Sequence, residues 1–323
     1  MRFALPLLVA LLGSLGAAEG VLLNASYDPT RELFKEVNAA FVAQAGAIVQ
    51  VKQSHGGSGK QARSVIEGMG ADVVSLALGL DVDEIAKAGL LPADWRTRQP
   101  NGVSPWTSTV VLLVRKGNPK GIKDWGDLAR ADVVPLVASP KTSGAARLAY
   151  LAAWSWAATA HPGDAAAVQA YMSGWLKRVP TFDAGARGAT TTFVRRNIGD
   201  VLLTWENEAW QAAAESQGAS EVVVPSSSIL AEPPVAVVES VAKAHGTLEL
   251  AKAYVAFLAS PAVQAIAAKH HYRPRDPAVL AQHAADFTAL RLFTVEDAFG
   301  GWTKAQAEHF ADGGSFDRLL GGN

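Results

Sequence analysis

Short apolar runs alternate along the chain with longer segments in which apolar residues recur at helical spacing. The runs are rich in β-branched residues and do not alternate with polar ones, which is typical of strands buried on both faces of a sheet. The predicted strands are residues 21–24, 47–51, 73–78, 110–114, 133–138 and 201–205. The predicted helices are residues 29–45, 58–68, 144–160, 165–178 and 248–258. This order predicts an α/β fold of mostly parallel strands flanked by helices.

Two segments, 103–109 and 225–234, interrupt the apolar pattern with proline and small polar residues. Such a composition is typical of connections rather than of strands or helices. If both segments cross between domains, the first domain is discontinuous along the chain. The sequence therefore predicts a first lobe of residues 19–109 and 230–323 and a second lobe of residues 110–229.

The first 18 residues differ from the rest, because Arg2 precedes an apolar stretch that ends in small residues at 16–18. This is the order of a secretory signal peptide, so we expect an exported protein whose mature chain begins near Glu19. The chain contains no cysteine, and a bacterial lipoprotein anchor needs one directly after its signal. We therefore expect a periplasmic protein without a lipid anchor. The formal net charge of −1 argues against nucleic acid or an acidic membrane surface as the main partner.

A glycine-rich turn at residues 54–61 leads from a predicted strand directly into a predicted helix. Glycine lets the backbone approach a ligand closely, and the start of a helix has N–H groups without acceptors. With the helix dipole, these donors form a site for a small anion. A nucleotide-binding P-loop would need glycine at position 54 and serine or threonine at position 61, where this chain has Ser54 and Gln61. Lys60 is therefore interpreted as a solvated lysine of the first helical turn or a contact near the cleft, not as a phosphate clamp.

Three further turns share this form. Residues 26–32 and 139–147 each follow a predicted strand and open a helix, and residues 183–190 are a small-residue turn before a polar helical stretch. Ligands of open α/β sheets bind beyond the carboxyl ends of the strands. We therefore expect the four turns, two from each lobe, to converge on one anion site.

Seven segments resemble the signature segments of periplasmic sulfate-binding proteins. They are residues 24–32, 53–61, 183–190, 201–208, 229–233, 272–275 and 299–304. The resemblance covers nearly the whole mature chain and implies a two-lobed periplasmic binding protein fold of type II. Each lobe would be a mostly parallel sheet flanked by helices, with a two-stranded hinge between the lobes. The resemblance also implies a monomer that binds sulfate or thiosulfate and delivers it to the membrane permease of an ABC importer with its ATPase, without a cofactor or catalytic residue.

The resemblance assigns the anion to hydrogen-bond donors from both lobes. The implied donors are the backbone N–H groups of Asp28 and Ser58, the Ser143 hydroxyl, the backbone N–H groups of Gly144, Ala145 and Ala186, and the indole N–H of Trp205. The family often has a second glycine where this chain has Ala145. The Asp28 carboxylate is expected to face away from the anion or to pair with a cation. Sulfate carries no proton near neutral pH, so a site of donors alone selects it over hydrogen phosphate.

Other interpretations are open on the sequence alone. Molybdate and tungstate are larger oxyanions that similar donors would bind in the same fold. A secreted hydrolase would need His55 within hydrogen-bonding reach of a serine and a carboxylate. His270 and His271 are adjacent, so a helix or strand would point them in different directions, and a shared metal ion is not expected. The aromatic segment 293–310 is expected to pack on the outside of the first lobe, with a docking surface for a transporter as the alternative.

Overall fold

The computed structural model describes residues 20–45, 49–98 and 103–321. The expected signal peptide, residues 1–18, and the start of the predicted strand 47–51 lie outside these ranges. The described residues form two four-stranded sheets flanked by helices and two pairs of short strands. Each four-stranded sheet is the centre of one lobe, as the alternation of apolar runs and helical segments predicts.

The strands are short and mostly buried. In chain order they are β1 (Gly20–Tyr27), β2 (Val49–Gly56), β3 (Val73–Ser75), β4 (Trp106–Thr107), β5 (Val110–Arg115), β6 (Pro135–Leu136), β7 (Val201–Trp205), β8 (Ser220–Val223), β9 (Ser227–Ile229), β10 (Val235–Val237), β11 (Arg273–Pro274) and β12 (Arg291–Phe293). The first sheet has the order β10-β3-β1-β2, and β1 runs parallel to both β2 and β3. The second sheet has the order β6-β7-β5-β8.

The helices cover these sheets. In chain order they are α1 (Arg31–Ala45), α2 (Ser58–Ile66), α3 (Gly79–Lys87), α4 (Gly144–Ala160), α5 (Ala165–Leu176), α6 (Ala186–Val194), α7 (Glu206–Glu215), α8 (Glu239–His245), α9 (Leu248–Phe257), α10 (Pro261–Lys269), α11 (Pro277–Gln282), α12 (Val295–Phe299), α13 (Trp302–Ala305) and α14 (Ser315–Leu320). Among the described residues no single helix is long and apolar enough to cross a membrane. The pair α9 and α10 meets the length and composition test only together, with a bend of 63°.

The second sheet corrects the prediction of mostly parallel strands. In it β6 and β7 are parallel, but β5 is antiparallel to both β7 and β8. The apolar run of β5 has a different cause from parallel pairing, because the strand is buried against helices α4 and α7. A continuous apolar run shows that a strand is covered on both faces, but it does not give the direction of its neighbours.

Two antiparallel segments join the lobes. Ser108 and Ala231 exchange two backbone hydrogen bonds of 2.9 Å each. Next to them, the Thr109 hydroxyl donates to the carbonyl oxygen of Ile229 at 2.8 Å. This isolated antiparallel bridge lies within both segments predicted to cross between the lobes, where the two-stranded hinge was expected. Strand β12 lies alongside the hinge, parallel to β9.

The aromatic segment 293–310 was expected on the outside of the first lobe, and the structure places parts of it against each lobe. Thr294 and Trp302 line a cavity with Leu78 and Arg96 of the first lobe, whereas the end of the segment lies against the second lobe. Phe310 and Phe316 lie against Tyr150 of helix α4, with ring centroids 5.2 and 6.1 Å from that of Tyr150. Helix α14 also contacts α5. The physical reason is the composition of α4, whose Tyr150 and Trp154 rings need an apolar cover that Phe310, Phe316 and His309 provide.

Protonation of His309 is expected to weaken this packing. Its ring is buried 4.5 Å from the Trp154 ring, and burial lowers the pKa of His309 from 6.5 to about 4. The unfolded chain therefore binds a proton at pH values where the folded chain does not. The contribution of the neutral His309 ring to the free energy of unfolding is complete above pH 6.5 and is lost as the pH falls toward 4. We expect the urea midpoint to fall less for His309→Phe than for the wild type between about pH 7 and about pH 4.5. An equal fall in the two proteins would show that His309 does not contribute.

Candidate anion-binding site

The four turns predicted from the sequence meet between the two sheets. The cavity at this point has a volume of about 10 Å³, which is about the room that one water molecule needs. Its lining residues are Tyr27, Asp28, Pro29, Gly56, Gly57, Ser58, Ala77, Ser143, Gly144, Ala145 and Ala186. Six of the seven predicted donor residues are in this lining, and the seventh, Trp205, contacts Tyr27. A cavity of this size suits one small ion rather than an organic molecule.

The first lobe places two chain turns at the cavity. Strand β1 ends at Tyr27, and Asp28 opens a short 3₁₀ turn whose second residue is Pro29. Strand β2 ends at Gly56, and Ser58 is the first residue of α2. The N–H of Ser58 therefore has no acceptor within its helix. The Asp28 carboxylate is paired with the Arg31 guanidinium at 2.9 Å, which is the second of the two arrangements expected for it.

The second lobe places two helix starts at the cavity. Ser143 is the N-cap of α4, and its Oγ accepts a hydrogen bond of 3.4 Å from the Ala146 N–H. A serine hydroxyl can donate its hydrogen while its oxygen accepts, so Ser143 can serve as the N-cap and still donate to a ligand. Gly144 and Ala145 are the first two residues of α4, and Ala186 is the first residue of α6. Both helix starts direct free N–H groups and the positive end of a helix dipole at the same place.

Trp205 lies at the carboxyl end of β7, directly behind these turns. Its ring is fully buried, with its centroid 5.2 Å from that of Tyr27. The indole Nε1 is buried and has no hydrogen-bond partner among the described residues. Leaving a buried donor unpaired costs about 1–3 kcal/mol. The indole nitrogens of Trp106, Trp175 and Trp210 also have no partner among the described residues, so it is the position of Trp205 against Tyr27 of the cavity lining that makes its indole a candidate ligand.

The two lobes approach each other closely around the cavity. A Cβ atom added to Gly57 would lie 2.7 Å from the Thr142 carbonyl oxygen and 2.9 Å from that of Ala184. A Cβ on Gly144 would lie 2.6 Å from the Cβ of Ala77. Both glycines therefore lie in the interface between the lobes. A side chain at either position would prevent the other lobe from approaching as closely.

Two ion pairs that sequence reasoning missed also cross between the lobes. Arg147 of α4 contacts the Asp81 carboxylate of α3 at 3.2 Å, with both side chains buried. Asp81 in turn accepts a hydrogen bond of 2.5 Å from the Ser58 hydroxyl. Burial raises the pKa of the Asp81 carboxyl, and the nearby Arg147 charge opposes that rise. Arg187 of α6 contacts Glu32 of α1 at 2.9 Å. The signal in the sequence that could have indicated such a pair is a charged residue within an apolar helical pattern, as at Arg147.

His55 satisfies only part of the requirement for a hydrolase. Its Nδ1 lies 2.6 Å from the Ser26 hydroxyl. Within the described ranges, no carboxylate oxygen lies within hydrogen-bonding distance of the His55 ring, and Ser26 is fully buried. Burial lowers the pKa of His55 from 6.5 to about 4. The serine, histidine and carboxylate that a triad needs are therefore not assembled here.

Lys60, His270 and His271 are absent from the residues that line the cavity. Lys60 is exposed. His270 lies 3.0 Å from a carboxylate oxygen of Glu36, whereas His271 stacks on Trp210. No group of three or more residues suited to bind a metal ion occurs in the part of the chain that the structure describes.

A family model described as bacterial extracellular solute-binding protein matches residues 22–273 of this chain. The chain is 54% identical to the sulfate-binding protein of Escherichia coli strain K12 over 303 residues, which is 92% of each protein. It is 46% identical to the thiosulfate-binding protein of Pseudomonas aeruginosa, with 99% of each protein covered. These alignments extend over both lobes.

Solved structures show the same architecture. The sulfate-binding protein SubI of Mycobacterium tuberculosis H37Rv superposes with a TM-score of 0.82 at 31% identity, covering 90% of this chain and 99% of that one. A periplasmic thiamin binding protein superposes with a TM-score of 0.68 at 18% identity, covering 94% and 96% of the two chains. At that lower identity the likeness concerns the fold alone.

Proposed function

Since this chain belongs to the family of bacterial extracellular solute-binding proteins, we propose that it binds one sulfate ion between its lobes and delivers it to an ATP-driven membrane importer. The observation that carries the proposal is the cavity at which helix starts from both lobes meet beside the unpaired indole of Trp205. The proposed ligands of sulfate are the backbone N–H groups of Asp28, Ser58, Gly144, Ala145 and Ala186, the Ser143 hydroxyl and the Trp205 indole.

The proposed donor set is sufficient for tight binding. A hydrogen bond to a charged group contributes roughly 1.5–3 kcal/mol, whereas micromolar affinity needs about 8 kcal/mol in total. Seven donors exceed this even after large losses to desolvation and lobe closure. The starts of α2, α4 and α6 add a partial positive field without a fixed counter-ion. Because each lobe holds only part of the donors, the anion stabilises the closed arrangement over an open one.

Thiosulfate is the second candidate ligand, and the observation that favours it is the 46% identity to a thiosulfate-binding protein. It carries the same double charge and offers three oxygen acceptors to the same donors. Molybdate and tungstate are larger oxyanions that similar donors would bind in the same fold, and competition with sulfate separates these alternatives.

The remaining parts of the proposal concern the protein as a whole. We place the lobes at residues 19–109 with 230–323 and at residues 110–229, joined at the Ser108–Ala231 hinge, with the last helices resting on the second lobe. We assign the protein to the periplasm, as a monomer without a lipid anchor that docks on the permease of an ABC importer with its ATPase. We assign it no catalytic residue, no cofactor and no nucleic-acid partner.

Calorimetric titration of the mature protein with sulfate tests the proposal, first alone and then in the presence of molybdate. We expect one sulfate per chain and little displacement by molybdate. Tighter binding of molybdate than of sulfate would assign the site to the larger oxyanion. No heat with sulfate, thiosulfate or molybdate would refute an oxyanion site.

Replacing the Trp205 indole tests whether this buried donor binds the anion. Trp205→Phe keeps an aromatic ring beside Tyr27 but removes the only hydrogen-bonding atom of the side chain. We expect sulfate affinity to fall at least about tenfold, since a hydrogen bond to a charged group contributes about 1.5 kcal/mol or more. Trp125→Phe is the control, because that indole donates instead to the Ser227 carbonyl oxygen at 2.8 Å. Unchanged affinity in Trp205→Phe would place the indole outside the site.

A further inference from the structure

Three consecutive buried polar residues follow Trp205 at the start of α7. Each of them is 1–2% exposed, and each contacts a residue distant in the sequence. Glu206 accepts two hydrogen bonds from Arg273, at 2.7 and 2.8 Å. Glu208 pairs with Arg187 at 2.9 Å. Asn207, between them, contacts Pro29, a residue of the cavity lining.

The Asn207 amide joins the two lobes directly behind the cavity. Its Nδ2 donates to the Pro29 carbonyl oxygen at 3.1 Å and to the Tyr272 hydroxyl at 2.9 Å. The Tyr272 hydroxyl also donates to the Pro29 carbonyl oxygen, at 2.9 Å. Asn207 follows the second sheet, whereas Pro29 follows β1 of the first sheet and Tyr272 precedes β11. Three groups from both lobes thus form one closed set of hydrogen bonds.

The position of this set in the chain connects two of the proposed sulfate donors. Pro29 directly follows Asp28, whose N–H is the proposed donor of the first turn. Asn207 lies two residues after Trp205, whose indole is the proposed donor at the end of β7. A link between Pro29 and Asn207 therefore fixes the Asp28 turn relative to the Trp205 ring.

The side-chain chemistry of Asn207 also indicates a role beyond filling space. Its Oδ1 is buried and has no hydrogen-bond partner in the described part of the chain. An unpaired buried acceptor is unfavourable, and an apolar side chain of similar size would avoid it. Packing alone therefore does not favour asparagine at this position. Asparagine is favoured by the two hydrogen bonds that its Nδ2 donates.

We propose that Asn207 is a positioning residue for anion binding: its amide, with the Tyr272 hydroxyl, holds the Asp28 turn and the Trp205 indole at the separation that sulfate requires. The inference rests on the proposed function. Asn207 is absent from the cavity lining, and its effect is to stabilise the closed arrangement, in which donors from opposite lobes meet the anion. Hydrogen bonds that form only in the closed arrangement add to the affinity for the anion that closes it.

The test compares two variants of this set with a matched pair elsewhere in the protein. Asn207→Leu removes the amide, and Tyr272→Phe is the milder change, since it removes one hydroxyl and keeps the ring. Asn38 and Tyr254 form the matched pair, because the buried Tyr254 hydroxyl donates to Asn38 Oδ1 at 2.6 Å in the first lobe. Asn38→Leu and Tyr254→Phe therefore remove equivalent groups without touching the site.

Sulfate affinity by calorimetry and the thermal stability of the ligand-free protein are measured for all variants. We expect Asn207→Leu to weaken sulfate about tenfold and Tyr272→Phe several-fold, with a double variant weaker by less than the product of the two effects, because the groups act together. The variants of Asn38 and Tyr254 should lower stability and keep wild-type affinity.

Wild-type affinity in both Asn207→Leu and Tyr272→Phe would overturn the positioning role. So would an equal loss of affinity in the matched variants, since it would follow from stability alone. If the wild-type protein itself binds no oxyanion, the proposed function fails first and this role fails with it.

Discussion

Hydrogen phosphate is expected to bind this protein at least about a hundredfold more weakly than sulfate at neutral pH. The proposed site consists of N–H groups and one hydroxyl whose oxygen already accepts from the Ala146 N–H. A P–OH group needs an acceptor, and among the proposed ligand atoms only the Ser143 Oγ has a lone pair to offer, which it can use only if its own hydrogen turns away from the anion. A P–OH group would also leave at least one buried donor facing a hydrogen, which costs about 1–3 kcal/mol in addition. Competition of phosphate against bound sulfate, followed by calorimetry, measures the ratio.

An acceptor within reach of the anion would contradict this expectation. The cavity lining includes the carboxylate residue Asp28, whose Oδ1 is held by Arg31 at 2.9 Å. If phosphate bound within tenfold of sulfate, this carboxylate would be the first acceptor to examine. Asp28→Asn should then weaken phosphate and not sulfate, since the proposed contact of Asp28 with sulfate is its backbone N–H.

The site turns could be predicted because their chemistry is local. The turn at residues 54–61 contains a strand end, a helix start and three glycines within eight residues. Such a segment fixes its own backbone geometry, and the free N–H groups follow from the geometry. The same reasoning applies to Ser143, whose role as the N-cap of α4 depends only on the residues next to it.

The contacts between the lobes could not be predicted in this way. Asp81 and Arg147 are 66 residues apart, and Glu32 and Arg187 are 155 residues apart. A charged residue in an apolar pattern indicates that a partner exists, but it does not identify the partner. Asn207 gave no signal at all, because an asparagine in the first turn of a helix is unremarkable until its long-range contacts are known.

The prediction of parallel strands was wrong for most of the second sheet for a related reason. Apolar runs report burial, and β5 is buried by helices whatever the direction of β7. The position of residues 293–310 depends on the aromatic side chains of α4 that they cover. The pattern within one segment does not reveal which other helix needs such a cover.

Gly57→Ala is expected to weaken sulfate by about a hundredfold without destabilising the ligand-free protein. Gly57 has a φ of −59°, which alanine adopts without strain, so the turn should fold normally. In the closed arrangement the added methyl would meet two backbone carbonyl oxygens of the second lobe, at 2.7 and 2.9 Å. Backbone cannot move aside as a flexible side chain can, and overpacking of this kind costs about 1–3 kcal/mol. The cost falls on the closed form, in which the lobes share the anion.

Gly59→Ala is the matched control for this change. It adds the same methyl two residues later, where the nearest atoms, in Asp81 and Arg63 or Arg147 side chains, lie 3.6–3.7 Å away. These are ordinary contacts, and alanine favours the helix over glycine, so affinity should stay near that of the wild type. A loss confined to Gly57→Ala, with sulfate dissociating faster and the melting temperature of the ligand-free protein unchanged, would show that lobe closure itself stabilises the bound anion. Wild-type affinity in Gly57→Ala would mean that sulfate binds without the close approach of residue 57 to Thr142 and Ala184, and the two-lobed cage would have to be replaced by a site on one lobe.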